Sequence, residues 1–146
     1  MVLSTLDRIE IGELIARFAH RSDYGEWDAL AACFTSDVVT FVAGSPAYVG
    51  VEAQVEHARR SAGWTQGQNR HLATNLWIEA GSADAARAHY YLLNFVSGKQ
   101  PGEPRLVVTG RMTDHVVRTP QGWRIARREL WPDQPFTAPD AGAREA

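Results

Sequence analysis

Five histidines, His20, His57, His71, His89 and His115, are the side chains best suited to proton transfer or metal ligation near neutral pH. Their spacing gives no H-x-H, H-x-x-x-H or Cys–His pattern, so no metal site is expected. His57 lies beside Arg59 and Arg60 in a polar segment and is expected to be exposed. Cys33 is the only cysteine, which excludes an intrachain disulfide, and its apolar run Ala29-Leu30-Ala31-Ala32-Cys33-Phe34 marks it as a small buried hydrophobe. Arg111, Arg127 and Arg128 stand among apolar neighbours. Ion pairs with Asp114 or Glu129 are the commoner role for such residues; binding a substrate carboxylate or phenolate is the rarer one. No glycine-rich loop follows a strand and no G-x-S-x-G occurs, which disfavours nucleotide cofactors and serine hydrolysis. By local pattern alone, Asp23 is a helix-end residue and Asp is common there for backbone bonding, while His71 sits at a strand start.

The elements that must hold these groups follow from periodicity. Ser4, Thr5 and Asp7 favour a helix start, and Ile11, Leu14, Ile15 and Phe18 repeat along one face, so a first helix is expected to end near Ser22 before Tyr24-Gly25. Glu26 to Phe34 reads as a short second helix, Val38 to Val42 as a short strand, and Val51 to about Ala62 as a third helix. Four long strands follow: Arg70–Glu79, Ala85–Ser97, Arg105–Arg118 and Trp123–Trp131. Short turns join them, except for a loop containing Gly98, Pro101, Gly102 and Pro104. An antiparallel meander is the economical arrangement. Helices first and strands after give an α+β fold rather than α/β. Residues 1–132 form the expected domain, and 133–146, with Pro135 and Pro139, an irregular tail.

Bulk properties narrow the function classes. A chain of 146 residues with 45% hydrophobic and 22% charged residues is one ordinary globular domain with its own core. The net charge of −2 is spread along the chain, with no basic stripe for nucleic acid. No apolar run reaches the roughly 18 residues of a membrane span. No basic segment precedes an apolar run at the N-terminus, so a cytoplasmic location is expected.

The element order resembles the cone-shaped α+β barrel of the nuclear-transport-factor-like superfamily. Ile15-Ala16-Arg17-Phe18-Ala19-His20-Arg21-Ser22-Asp23, followed by Trp27-Asp28-Ala29-Leu30, is similar to that family's first helix, acidic residue and second helix. Arg70-His71-Leu72-Ala73-Thr74-Asn75 is similar to its histidine-bearing strand. Thr109-Gly110-Arg111-Met112-Thr113-Asp114 and Gly122-Trp123-Arg124-Ile125 are similar to its last strands. The likeness spans most of Leu6 to Trp131, and its nearest pattern is the SnoaL-like group, which includes scytalone dehydratase, bile-acid dehydratase and hexachlorocyclohexane dehydrochlorinase. The resemblance implies a catalytic dyad of Asp23 and His71, no cofactor, and a small apolar, cyclic substrate. It also admits a non-catalytic reading, because small subunits of ring-hydroxylating dioxygenases share the fold.

An imidazole oriented by a carboxylate in a dry pocket can remove a proton beside a carbonyl or a leaving group. Elimination or isomerisation follows. Where scytalone dehydratase has a second histidine this chain has Asn94, and Ser22 rather than a tyrosine precedes Asp23, with Tyr24 after it. The resemblance therefore implies proton abstraction rather than the scytalone reaction itself. Tyr24 and Asn94 are the expected polar contacts. Strand alternation from His71 adds Ala73, Asn75 and Trp77 to the pocket and leaves Leu72, Thr74, Leu76 and Ile78 outside. Phe41 and Arg111 complete the expected contacts. An apolar outer sheet face implies a homodimer or homotrimer.

Overall fold

Among the described residues, nine elements build a helical layer against one curved sheet. A computed structural model of the chain describes residues 3–98 and 104–135; most of the expected loop after Gly98 and most of the C-terminal tail lie outside them. Helix α1 spans Thr5–Tyr24. Its start is fixed by a capping box in which Asp7 N–H donates to Ser4 Oγ and Ser4 N–H donates to Asp7 Oδ2. It runs past the expected stop at Ser22, because the left-handed residue that ends it is Gly25, at φ 72°. That extension puts Asp23 in the last helical turn.

Helix α2 is confined to Trp27–Ala31, and strand β1 runs from Phe34 to Val42, longer than alternation alone suggested. Ile125 N–H donates to Cys33 O and Phe34 pairs with Ile125, so the sheet captures residues whose local pattern was helical. Strand β2 (Tyr48–Val49) borders β1, and helix α3 covers Val51–Trp64. Strands β3 (Asn69–Ala80), β4 (Ala85–Val96), β5 (Arg105–Thr119) and β6 (Gly122–Pro132) form the expected antiparallel meander. The sheet order is β2-β1-β6-β5-β4-β3, and β1 joins β6 in parallel, so the sheet is mixed and unclosed.

Ladder irregularities bend the sheet. In β3 the pairing jumps from Thr74↔Tyr91 to Trp77↔His89, and Asn75 takes a left-handed φ of 56°. In β6 it jumps from Ile125↔Val116 to Arg127↔His115, leaving Ala126 unpaired. An extra residue reverses the facing of all that follow and sharpens the local twist. The concave side receives α1, whose Ile11, Leu14 and Ile15 are fully enclosed against residues such as Ala88, Val116, Trp123 and Ile125. Tail residue Asp133 is tied back to β5, where its N–H donates to Thr109 O and its carboxylate accepts from Thr109 Oγ1. No helix among the described residues is long and apolar enough to cross a membrane.

Candidate active site

The last turn of α1 and the first residues of β3 meet through a carboxylate and an imidazole. The Asp23 carboxylate binds His71 twice: Oδ2 accepts the backbone N–H at 2.8 Å, and Oδ1 lies 2.5 Å from ring Nδ1. Both side chains are largely withdrawn from solvent, at 6% exposure for Asp23 and 17% for His71. The carboxylate fixes the ring's orientation and leaves Nε2 as its free nitrogen, with no hydrogen-bond partner among the described residues. Asp23 and His71, forty-eight positions apart, thus form the expected pair.

His71 lines a cavity of about 100 Å³ between the sheet and α3. Phe18, Val42, Ala58, Leu92, Met112 and Leu130 supply its apolar wall. Thr40, Tyr48, Gln54, His57 and Arg128 are polar members of the same lining, so the chamber is more polar than the sequence suggested. Thr40 Oγ1 donates to Gln54 Oε1, which satisfies both buried side-chain oxygens.

Arg128 enters the chamber because of the bulge. Trp123 and Ile125 face inward, Ala126 adds a residue, and the inward set resumes at Arg128 instead of Arg127. Its guanidinium is buried at 2% exposure, over the face of Phe18 at 3.7 Å. Nε donates to Asp114 Oδ1 at 2.7 Å, and Nη2 donates to Asp114 Oδ2 at 3.2 Å and to the Tyr90 hydroxyl at 2.9 Å. Tyr90 in turn donates to Asp114 Oδ2 at 2.7 Å. Burial opposes the arginine's charge, but Asp114 and Tyr90 outweigh it and raise the pKa. Burial and then the Asp114 charge keep the Tyr90 phenol protonated. The expected pairing of a β6 arginine with Asp114 is therefore present, and Arg127 pairs with Glu129 at 2.7 Å outside.

His57 is the site residue that the sequence reading misplaced. Gln54, His57, Ala58 and Ser61 form one i, i+3, i+4, i+7 face of α3 and all line the cavity. The adjacent Arg59 and Arg60 point away and are exposed. Helical spacing, read through Ala58, carried this information; local charge masked it. His57 stacks on Tyr48 with ring centroids 4.4 Å apart. Burial lowers its pKa, and charge interactions with Arg60, His71 and Arg128 lower it further.

Other expected contacts lie elsewhere. Asn94 pairs directly with His71 across the β3–β4 ladder and shares its inward face with Tyr90 and Leu92. Its Oδ1 is buried without a partner among the described residues. Tyr24 is 65% exposed, one residue beyond Asp23 and beneath the Arg70 guanidinium, so it points out of the chamber. Asn75 and Trp77 are turned outward by the β3 bulge, while Leu76 lies against α1 and Ile78 packs on the core. With Arg111, His89, Tyr91 and Trp131 they border a separate outer groove of about 370 Å³. Phe41 lies on the outer side of β1, against Trp131 at 5.3 Å, because Val38, Thr40 and Val42 take the inward positions. Among the described residues, no cluster of three or more His, Cys, Asp or Glu side chains is arranged to hold a metal ion.

No curated protein matches this chain. Among solved structures, it is similar to Aln2 from a Streptomyces species, at 28% identity over 89% of this chain and 93% of that one, with a TM-score of 0.80. It is also similar to a nuclear-transport-factor-like protein with a cystatin-like fold from Novosphingobium aromaticivorans, at 25% identity, 89% and 84% coverage, and a TM-score of 0.79. A Streptomyces avermitilis protein provisionally named a dehydratase of the same superfamily shares the fold at 17% identity, 87% and 96% coverage, and a TM-score of 0.74. Residues 4–129 match the SnoaL-like domain, nearly the whole of the helical layer and curved sheet just described; the chain belongs to the SnoaL-like family, with the nuclear-transport-factor-like α+β cone fold.

Proposed function

We propose that the protein is a lyase or isomerase that needs no cofactor, with His71 as the general base and Asp23 as its orienting partner. The observation that carries this reading is the Asp23–His71 contact at the wall of a cavity, with Nε2 of the ring unpartnered. Nε2 takes a proton from carbon, and the C–H electron pair becomes a new double bond. In an elimination, the leaving group departs with its own pair and can collect the proton from the imidazolium. In an isomerisation, the proton returns at another carbon. Asp23 stabilises the imidazolium in between, at an effective dielectric far below that of water. The name given to the Streptomyces avermitilis protein is compatible with this chemistry, at the level of fold alone.

The cavity of about 100 Å³ limits what reacts. A cavity of ~150 Å³ holds benzene. The chamber is smaller than that, so the portion it holds is one edge of a ring or of a larger molecule whose remainder lies beyond the rim. Aromatic and polyketide-like compounds fit this description.

The test is solvent-deuterium incorporation into small cyclic ketones and β-hydroxy ketones, followed by proton NMR. Wild type should accelerate exchange or elimination. Asp23→Asn should lower the rate by about 10²-fold or more, and His71→Ala should abolish it while circular dichroism stays native. Equal rates for His71→Ala and wild type would remove the base assignment.

A further inference from the structure

We propose that His57 is a second functional imidazole of the chamber, a neutral N–H donor that holds a substrate oxygen as it becomes negative. This narrows the substrates to compounds whose acidic carbon lies beside a carbonyl. It rests on the function proposed above for the other wall.

His57 comes from α3, across the cavity from the sheet that carries His71. Its ring plane is fixed by stacking on Tyr48, at 4.4 Å and 24°. Neither ring nitrogen, nor the Tyr48 hydroxyl, has a hydrogen-bond partner among the described residues, although both side chains line the cavity. A half-buried imidazole and a phenol facing one small space are donors awaiting an acceptor. The groups around them decide their protonation. His57 stacks on Tyr48 from β2 and feels the charges of Arg60 on its own helix, of His71 on β3 and of Arg128 on β6. Burial, with the positive charges of Arg60 and Arg128, favours the uncharged ring, and burial also holds the Tyr48 proton in place against the pull of Arg60. A neutral imidazole cannot protonate a carbonyl outright. It can polarise one and bind the enolate oxygen without giving its proton away.

The step balances without a co-reactant. The carbon-bound proton moves to His71 Nε2. Its electron pair forms the enolate double bond, and the carbonyl π pair moves onto oxygen, where His57 N–H and Tyr48 O–H donate to it. Collapse of the enolate expels a β-substituent or recovers the proton at another carbon.

The probe is 4-nitrophenol, a single ring whose phenolate oxygen stands in for the enolate and whose ionisation is visible by absorbance. Wild type should prefer the phenolate over the phenol and lower the apparent pKa of the bound probe. His57→Phe keeps a ring against Tyr48 but lacks the N–H, and should weaken phenolate binding by about tenfold or more. His57→Gln restores an N–H donor and should stay within a fewfold of wild type. Binding of 4-nitrotoluene, which has no acidic oxygen, should be equal in all three. If His57→Phe does not fold, imidazole NMR of wild type serves instead, with a downfield shift of the His57 N–H proton on adding the probe. Phenolate binding that is absent from wild type, indifferent to His57→Phe, or equally poor in His57→Phe and His57→Gln overturns the proposal. Ketone exchange by wild type and His71→Ala tests the base, and phenolate binding by wild type and the His57 variants tests the donor, so each reading stands or falls on its own assay.

Discussion

Replacing Asp114 with alanine should be among the most damaging single changes to stability that this chain can suffer. Asp114 is fully buried and Arg128 is 2% exposed, so neither charge can turn to water when its partner is lost. Asp114→Ala removes two charge-assisted bonds from Arg128, at 2.7 and 3.2 Å, and the acceptor of the Tyr90 hydroxyl at 2.7 Å. It leaves a guanidinium facing Phe18 and a cavity. Breaking one side of a buried pair costs about 3–5 kcal/mol, mostly the price of the stranded charge. For a chain near this length that is a fall of roughly 10 °C in Tm. Urea titration followed by tryptophan fluorescence should report the change as a lower midpoint at similar slope. The double variant Asp114→Leu with Arg128→Met removes both charges and should recover most of the loss, because an apolar pair of similar volume is often neutral. An Asp114→Ala protein within about 1 kcal/mol of wild type, or a double variant no better than the single one, refutes the reasoning that the pair is desolvated and interdependent.

Gly110→Ala should lower Tm, because a Cβ there would sit 2.7 Å from Trp131 O and 3.0 Å from the Pro132 Cα, both backbone atoms of β6; differential scanning calorimetry should give a loss of about 1–3 kcal/mol. The depressed His57 pKa means that the unfolded chain binds a proton more readily than the native one as pH falls through the ordinary value of 6.5. The associated stability is present above that pH and is lost on acidification, so His57→Gln should flatten the decline in urea midpoint between about pH 7 and 5. We also propose that the outer sheet face, where Trp77, Tyr91 and Trp131 are about half exposed, pairs with a second copy of the chain. Light scattering should then find a dimer or trimer that Trp77→Lys with Trp131→Glu converts to monomer; a monomeric wild type, or a heterologous partner bound to this face, would favour the accessory-domain reading.

The α+β architecture and the helix-then-meander order were legible because hydrophobic periodicity is a local property, and α1 and the four long strands each carry it over many residues. The Asp23–His71 pair was found through likeness to a family, not through spacing, since forty-eight positions separate its members. What escaped depends on pairing between distant segments. The start of β1 at Phe34 follows from its parallel partner Ile125. The facing of Asn75, Trp77 and Arg128 follows from bulges, and strict alternation has no means of foreseeing an inserted phase change. His57 belongs to a different class. Its helical neighbours Gln54, Ala58 and Ser61 already marked the face it shares, and the flanking arginines drew attention away from it.

The double grip of Asp23 on both the ring and the main chain of His71 has a mechanical consequence. The two hydrogen bonds tie helix end to strand start, so a shift of α1 would carry acceptor and imidazole together. Expansion of the chamber to admit a bulkier guest then falls to the opposite wall, α3 with the short β2 edge. If His71 is the base proposed above, its distance to Asp23 would stay constant while the volume adjusts.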